Sequence, residues 1–327
     1  MNDRHVLRVL GAQIDAVSWS AAISTIYVWA SNRESRVVCI CNVHSVVTAT
    51  QDAAFGRVVH EADMATPDGA PVAWILRCLG HAGQQRINGP DLMWRYCEAR
   101  QGMDCRAALE VTDSTSRHRE AAGRGDPSWM RQGDGLPRFA RNHGAGMDCR
   151  AAVIARSESN AAIAMTARVD GSGIFLYGSS EETLTKLKVK LLTAFPALNI
   201  AGAISPPFRA LSPDEDATIV AQINASGAGV VFVSLGCPKQ ELWMAAHRGR
   251  IHAVMIGVGA AFDYHAGTTK RAPKWMQDCG LEWLHRLVSE PRRLWKRYLV
   301  TNTLFVLGAA RQLLGVWRVK NFPKVKP

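Results

Sequence analysis

Between Val6 and Leu79 short apolar runs alternate with stretches whose apolar positions recur every three or four residues. Arg36–Cys41 (RVVCIC) is β-branched and almost unbroken, the pattern of a strand buried on both faces. Val6–Ala12 predicts another strand. Trp19, Ile23, Ile26 and Tyr27 share one side of a predicted helix over Val17–Ala30, and Val46–Glu61 predicts a second helix. A further short element ends at Thr66-Pro67-Asp68-Gly69, where proline and glycine impose a turn. Pro71 then opens a helix through Val72–Leu79.

The same alternation returns after Ala167. Gly173–Gly178 (GIFLYG) predicts a strand, and Ser179/Ser180 with Glu182 start a helix to about Phe195. Strands over Leu198–Ala203, Gly229–Leu235 and Ala253–Gly257 are separated by helices over Asp214–Ser226 and Pro238–Arg248. Apolar strands alternating with helices predict an α/β fold, a Rossmann-like parallel sheet flanked by helices. In the tail, Leu281, Leu284, Leu287, Val288, Leu294, Trp295, Tyr298 and Leu299 recur at helical spacing with arginines largely between them. They predict a C-terminal amphipathic helical appendage, a helix pair interrupted at Pro291.

The span 101–167 follows neither pattern and contains GMDCRAA twice, at Gly102–Ala108 and Gly146–Ala152. It reads as a duplicated insertion, expected to be poorly ordered. The chain thus divides into 1–100 and 168–279, two parts of one catalytic α/β domain, the insertion 101–167, and the appendage 280–327.

Composition adds a partner. The formal charge is +11 and the pI about 9.5, which favours an anionic surface or substrate. Thirteen of the Lys and Arg residues, against three acids, fall between Lys270 and the C-terminus, among Trp275, Trp283, Trp295 and Trp317. Aromatics and arginines at helical spacing fit an anionic membrane surface better than a nucleic-acid groove. The eight cysteines form no zinc-type spacing, so no metal is expected, and they read as reduced thiols of a cytosolic protein. Leu299–Leu307 is apolar but short of the roughly 18–20 residues that span a bilayer. The reading is a protein that lies on a membrane without crossing it.

In a parallel α/β sheet, ligands bind beyond the carboxyl ends of the strands. Polar residues just after predicted strands are Asn42, His44, Asp63, Asp68, Gln240, Glu241 and Asp263. Asp68 sits in a Pro-Asp-Gly turn, a common turn tripeptide, but the turn joins a strand-like lead-in to a helix, where a carboxylate can act as a general base. Gly236-Cys-Pro-Lys-Gln-Glu241 opens a helix whose free N–H groups, with Lys239, can accept phosphate. Gly257-Val-Gly259 lacks the third glycine of a dinucleotide fingerprint.

These motifs, in order, resemble those of one family. CNVHS (Cys41–Ser45), ADMATPDGAPVAW (Ala62–Trp74), RINGPDLM (Arg86–Met93) and IFLYGSS (Ile174–Ser180) look like successive blocks of the WecG/TagA/CpsF glycosyltransferases, glycosyltransferase family 26. VVFVSLGCPKQELWM (Val230–Met244), GVGAAFDYHAGTTKRAPKWMQ (Gly257–Gln277) and GLEWLHRLVSEPRRLWKRY (Gly280–Tyr298) continue the resemblance. It implies an inverting, metal-independent transfer, with no cofactor, from a UDP-sugar donor to an undecaprenyl-diphosphate-linked acceptor in exopolysaccharide or cell-surface polysaccharide synthesis. It further implies Asp68 as the catalytic base and Asn42, Arg86 and Gln240 as substrate-binding residues, beside the Lys239 that the helix start itself suggests. Arg286, Arg293 and Arg297 would face the donor diphosphate from a membrane-docked tail on the cytoplasmic side. Ile40 stands where some members carry Thr. The insertion is a departure from the family pattern. The rival readings are a nucleotide-dependent oxidoreductase and a non-catalytic membrane- or nucleic-acid-binding protein, separable by NAD(P)H binding and by salt-sensitive DNA binding.

Overall fold

The computed structural model describes residues 4–101 and 173–321, with the side chains of 317–321 excepted. Both GMDCRAA copies and the rest of 102–167 lie outside the described residues.

An antiparallel hairpin opens the chain, β1 (Val6–Val9) paired with β2 (Ala12–Asp15). The sequence predicts one strand here. Instead the backbone reverses at Leu10 (φ 52°) and Gly11 (φ 98°), the left-handed pair that a two-residue hairpin turn requires. The Asp15 carboxylate fastens this hairpin by accepting the Ala65 N–H and pairing with Arg4.

The rest is a six-stranded parallel sheet, as the alternation predicts. Its strands are β3 (Arg36–Cys41), β4 (Met64–Pro67), β5 (Ile174–Gly178), β6 (Ile200–Ile204), β7 (Val230–Ser234) and β8 (Val254–Gly257). Their spatial order is β4-β3-β8-β7-β5-β6. Cys41 pairs with Pro67, Gly178 with Ser234 and Val233 with Gly257, so the carboxyl ends of five strands finish within about two residues of one another.

Alternate residues of each strand feed one of two cores. Val37, Cys39 and Cys41 join Val231, Val233 and Met255 on one face, while Val38 and Ile40 join Leu176, Phe232 and Ile256 on the other. Burial on both faces is why these strands read as unbroken apolar runs.

Helices α1 (Trp19–Ser31), α2 (Val43–Gln51), α3 (Ala53–Glu61), α4 (Ala70–Cys78) and α5 (89–101) surround the first half of the sheet. The single helix predicted over Val46–Glu61 is two. The break falls at Asp52, whose carboxylate caps α3 by accepting the Ala54 and Phe55 N–H groups at 2.8 and 3.2 Å. The two helices cross so closely that a Cβ on Gly56 would lie 2.6 Å from the Ala49 carbonyl oxygen.

Helices α6 (Glu181–Ala194), α7 (Pro213–Ala225), α8 (Lys239–Ala246), α9 (Ala261–Ala266) and α10 (Lys274–Asp278) flank the second half. The appendage is α11 (Glu282–Ser289) and α12 (Pro291–Asn321), with Pro291 in the first turn of the long helix, where its missing N–H costs nothing.

The long helix corrects one expectation. Pro291–Val316 is long enough to cross a membrane, and an 18-residue window within it, with a mean hydropathy of 1.4, is apolar enough to do so by composition. Thr301, Asn302 and Arg311 interrupt its apolar run in the linear sequence without lowering the average enough to disqualify it. One side of this helix is nonetheless occupied by protein: Leu294, Thr301, Phe305 and Ala309 are buried. The opposite side leaves Leu299, Val300, Val306, Leu307 and Leu314 exposed.

Candidate active site

A cavity of about 1290 Å³ opens at the carboxyl ends of the strands. Asn42 follows β3, Asp68 follows β4, Ser179 follows β5, Leu235–Gln240 follow β7 and Val258–Ala260 follow β8, and all of them line it. The remaining wall comes from α11 and α12 through Glu282, Trp283, Arg286, Arg293, Arg297 and Tyr298. All eight site residues proposed from the sequence therefore border one cavity.

Asp68 is anchored through its backbone. Its N–H donates to the Cys41 carbonyl at 2.9 Å, continuing the β3–β4 ladder by one step, and Gly69 then turns at φ 87° into α4. The next segment is stitched to the same strand, because Ile87 N–H donates to the Pro67 carbonyl at 2.9 Å and Thr66 Oγ1 donates to the Ile87 carbonyl at 3.2 Å. These bonds bring Arg86 to the carboxylate. Burial pushes the Asp68 carboxyl up to about 6, Glu282 adds to that shift, and Arg86, Arg271 and the Gly69 N–H oppose it.

The electrostatics of the appendage wall are positive. Arg297 is half-buried, and its Nε has no hydrogen-bond partner among the described residues. Burial holds its guanidinium below the usual arginine range. Burial and the Arg297 charge together bring His44 down to about 4, so it is neutral at physiological pH. Arg293 is more exposed and pairs with Glu290 at 2.6 Å. Trp283 meets Tyr298 edge to face at 5.9 Å, bracing α11 against α12 behind these arginines.

Two of the sequence-proposed residues have their polar groups largely engaged by protein. Asn42 caps α2, its Oδ1 accepting the Ser45 N–H at 3.1 Å. Gln240, only 3% exposed, accepts the Gly259 N–H at 3.0 Å and donates to Glu241 Oε1 at 2.9 Å. Gln240 thus fixes the loop after β8 against the start of α8. Lys239, the first residue of α8, stays exposed at the rim.

The sequence reading did not pick out Glu282, Arg271 or Ser179. Glu282 Oε2 accepts from Arg86 Nη1 at 2.6 Å and Oε1 from Arg271 Nε at 3.1 Å, while Ser179 Oγ donates to Asp263 Oδ1 at 3.2 Å. The available signal for Glu282 was its charge, as one of three acids in an otherwise basic tail. Nothing in the local sequence marks Arg271 or Ser179. Among the described residues no group of three or more His, Cys, Asp or Glu is placed to hold a metal ion.

A carboxylate at a strand end that shares a cavity of this size with several arginines is an arrangement suited to moving a group off a phosphorylated leaving group. A family model described as "Glycosyl transferase WecG/TagA/CpsF family" matches residues 7–110 and 140–319. Those stretches take in the whole sheet, Asp68, and the arginines of both appendage helices. The chain belongs to the WecG/TagA/CpsF family of glycosyltransferases.

Proposed function

We propose that this glycosyltransferase moves a hexosyl sugar, glucosyl or N-acetylmannosaminyl(uronyl), from a UDP-sugar to an undecaprenyl-diphosphate-linked saccharide with inversion of configuration. The observation that carries this reading is the shared cavity, bordered both by Asp68 and by Arg286, Arg293 and Arg297. With its carboxyl near 6, Asp68 is ionised at neutral pH and still basic enough to take the proton from an acceptor hydroxyl as that oxygen attacks the anomeric carbon. The bond to the UDP oxygen breaks as the new glycosidic bond forms, and negative charge grows on the leaving diphosphate. Arg297, half-buried with an unused Nε, and the N–H groups at the start of α8 are suited to receive that charge. A single in-line displacement inverts the anomeric centre, and no step in it calls for a metal ion.

The acceptor is lipid-linked in this reading, and the exposed face of α12 supports a peripheral position on the inner face of the cytoplasmic membrane. Leu299, Leu307 and Leu314 project away from the protein, with Lys296 beside Trp295 at the start of the same helix. A helix that spends its other face on the protein core lies along a bilayer more readily than through one. The mouth of the cavity carries exposed Phe208, Trp74 and Trp283, apolar groups suited to the lipid end of such an acceptor.

The test is incubation with a panel of radiolabelled UDP-sugars and an undecaprenyl-diphosphate-linked acceptor, with chelator and no added metal. Label transferred to lipid from one sugar supports the reading. Label left entirely on the nucleotide for every sugar rejects it.

A further inference from the structure

Among the described residues, a network of charged side chains joins the appendage to the surroundings of Asp68. Glu282, the first residue of α11, takes Arg86 at 2.6 Å with one carboxylate oxygen and Arg271 at 3.1 Å with the other. Arg271 continues as a fork onto Asp91, at 2.6 and 3.2 Å, and Asn88 donates to the same Asp91 at 2.7 Å. Asn88 in turn accepts the Asp91 N–H at 2.9 Å, so the chain of charges ends on the first turn of α5. Three stretches of the chain, 86–91, Arg271 and Glu282, therefore meet within one partly buried network beside Asp68.

We propose that Glu282 is a positioning residue for the transfer: it holds Arg86 and Arg271 in place and balances their charge, so that the base at Asp68 is competent only while α11 is docked. This inference rests on the reading of Asp68 as the general base.

The charge count shows why a staple alone is an incomplete description. The charged groups facing Asp68 are Arg86 from the segment before α5, Arg271 from the loop after α9, and Glu282 from α11. Two cations beside a carboxylate strengthen its ionised form and weaken it as a base. Glu282 and Asp91 supply two anions to those two cations, and burial then decides how tightly Asp68 holds a proton. With Glu282 neutral, two guanidiniums face Asp68 and Asp91 alone offsets them. With α11 undocked, Arg86 also loses the bond that fixes its direction.

The experiment compares Glu282→Gln and Glu282→Asp with the wild type on UDP-sugar and lipid-linked acceptor. Glu282→Gln should lower kcat about 10-fold or more with the donor KM within about twofold, and move the acid limb of the kcat/KM profile to lower pH. Glu282→Asp keeps the charge on a shorter arm and should return the limb towards its wild-type position. A wild-type kcat and limb in Glu282→Gln overturns the proposal, as does a lower kcat with an unmoved limb, which marks a staple only. If the wild type transfers no sugar, the functional reading has failed, and the Asp68 carboxyl can still be titrated by infrared difference between wild type and Asp68→Asn. In that measurement a lower midpoint in the Glu282→Gln background upholds the action of Glu282 on Asp68, and an unchanged midpoint refutes it.

Discussion

The side-chain amide of Gln312 accepts the Leu10 N–H at 2.9 Å and donates to the Arg8 carbonyl at 2.6 Å, tying the long C-terminal helix to the turn of the N-terminal hairpin. Gly308 lies beneath the same turn, where a Cβ would come within 2.6 Å of the Leu10 side chain. The apolar helix is therefore seated on the α/β domain by specific bonds as well as by Leu294, Phe305 and Ala309.

Gln312→Ala removes both bonds. It should cost about 1–3 kcal/mol and speed amide exchange over α12 more than over the sheet. Uniform loss of protection throughout the chain would show that α12 and the sheet unfold as one unit.

The Asp68 carboxyl predicts a pH profile. As a base it works only when ionised, so kcat/KM should fall as pH drops through about 6, and Asp68→Asn should lower kcat at least about 10²-fold while leaving donor binding intact. An acid limb near the ordinary value of 3.8, or near-normal turnover in the variant, removes Asp68 from the role.

The same shift has a consequence for stability. A carboxyl whose folded value is raised favours the fold fully below its unfolded value and loses that contribution as pH rises through the folded value. Ionised Asp68 therefore weakens the fold above about pH 6. Asp68→Asn should melt higher than wild type at pH 8, by about 1–3 kcal/mol, with the difference closing towards pH 4. Denaturant midpoints across that range measure it.

Arg297→Ala should weaken UDP binding about 10-fold or more, and Arg297→Lys should restore only part, because a point charge does not reproduce the guanidinium fork. Calorimetric titration with UDP reads the effect directly. An unchanged UDP affinity places the diphosphate elsewhere in the cavity.

Leu307 is 63% exposed, so Leu307→Asp should leave melting within about 0.5 kcal/mol of wild type. Its partition onto vesicles containing anionic lipid should nonetheless fall severalfold, and truncation at about Leu281 should abolish it. Retained vesicle binding in the truncated chain moves the membrane surface off the appendage.

What could be read from the sequence follows from how local each feature is. Arg36–Cys41 was legible to the residue because both of its faces are buried and every position is apolar or at the strand edge. Asp68 was legible as a strand-end residue, since the turn residues around it mark the strand's end. The hairpin was not, because its turn places a leucine in the left-handed conformation that sequence rules assign to glycine or asparagine. The Glu282–Arg86 pair was equally hidden. Its partners stand 196 residues apart, and neither carries a local sign of the other.

The wall of the cavity formed by α11 and α12 also sets an order in time. A ribosome making this chain completes the sheet, Asp68 and the start of α8 before it reaches Glu282, Arg286 and Arg297. Until those residues emerge and pack, the cavity has Asp68, Arg86, Lys239 and Arg271 but lacks the arginines of its α11 and α12 wall. The cavity is thus closed only when the same helix that carries the exposed apolar face has packed.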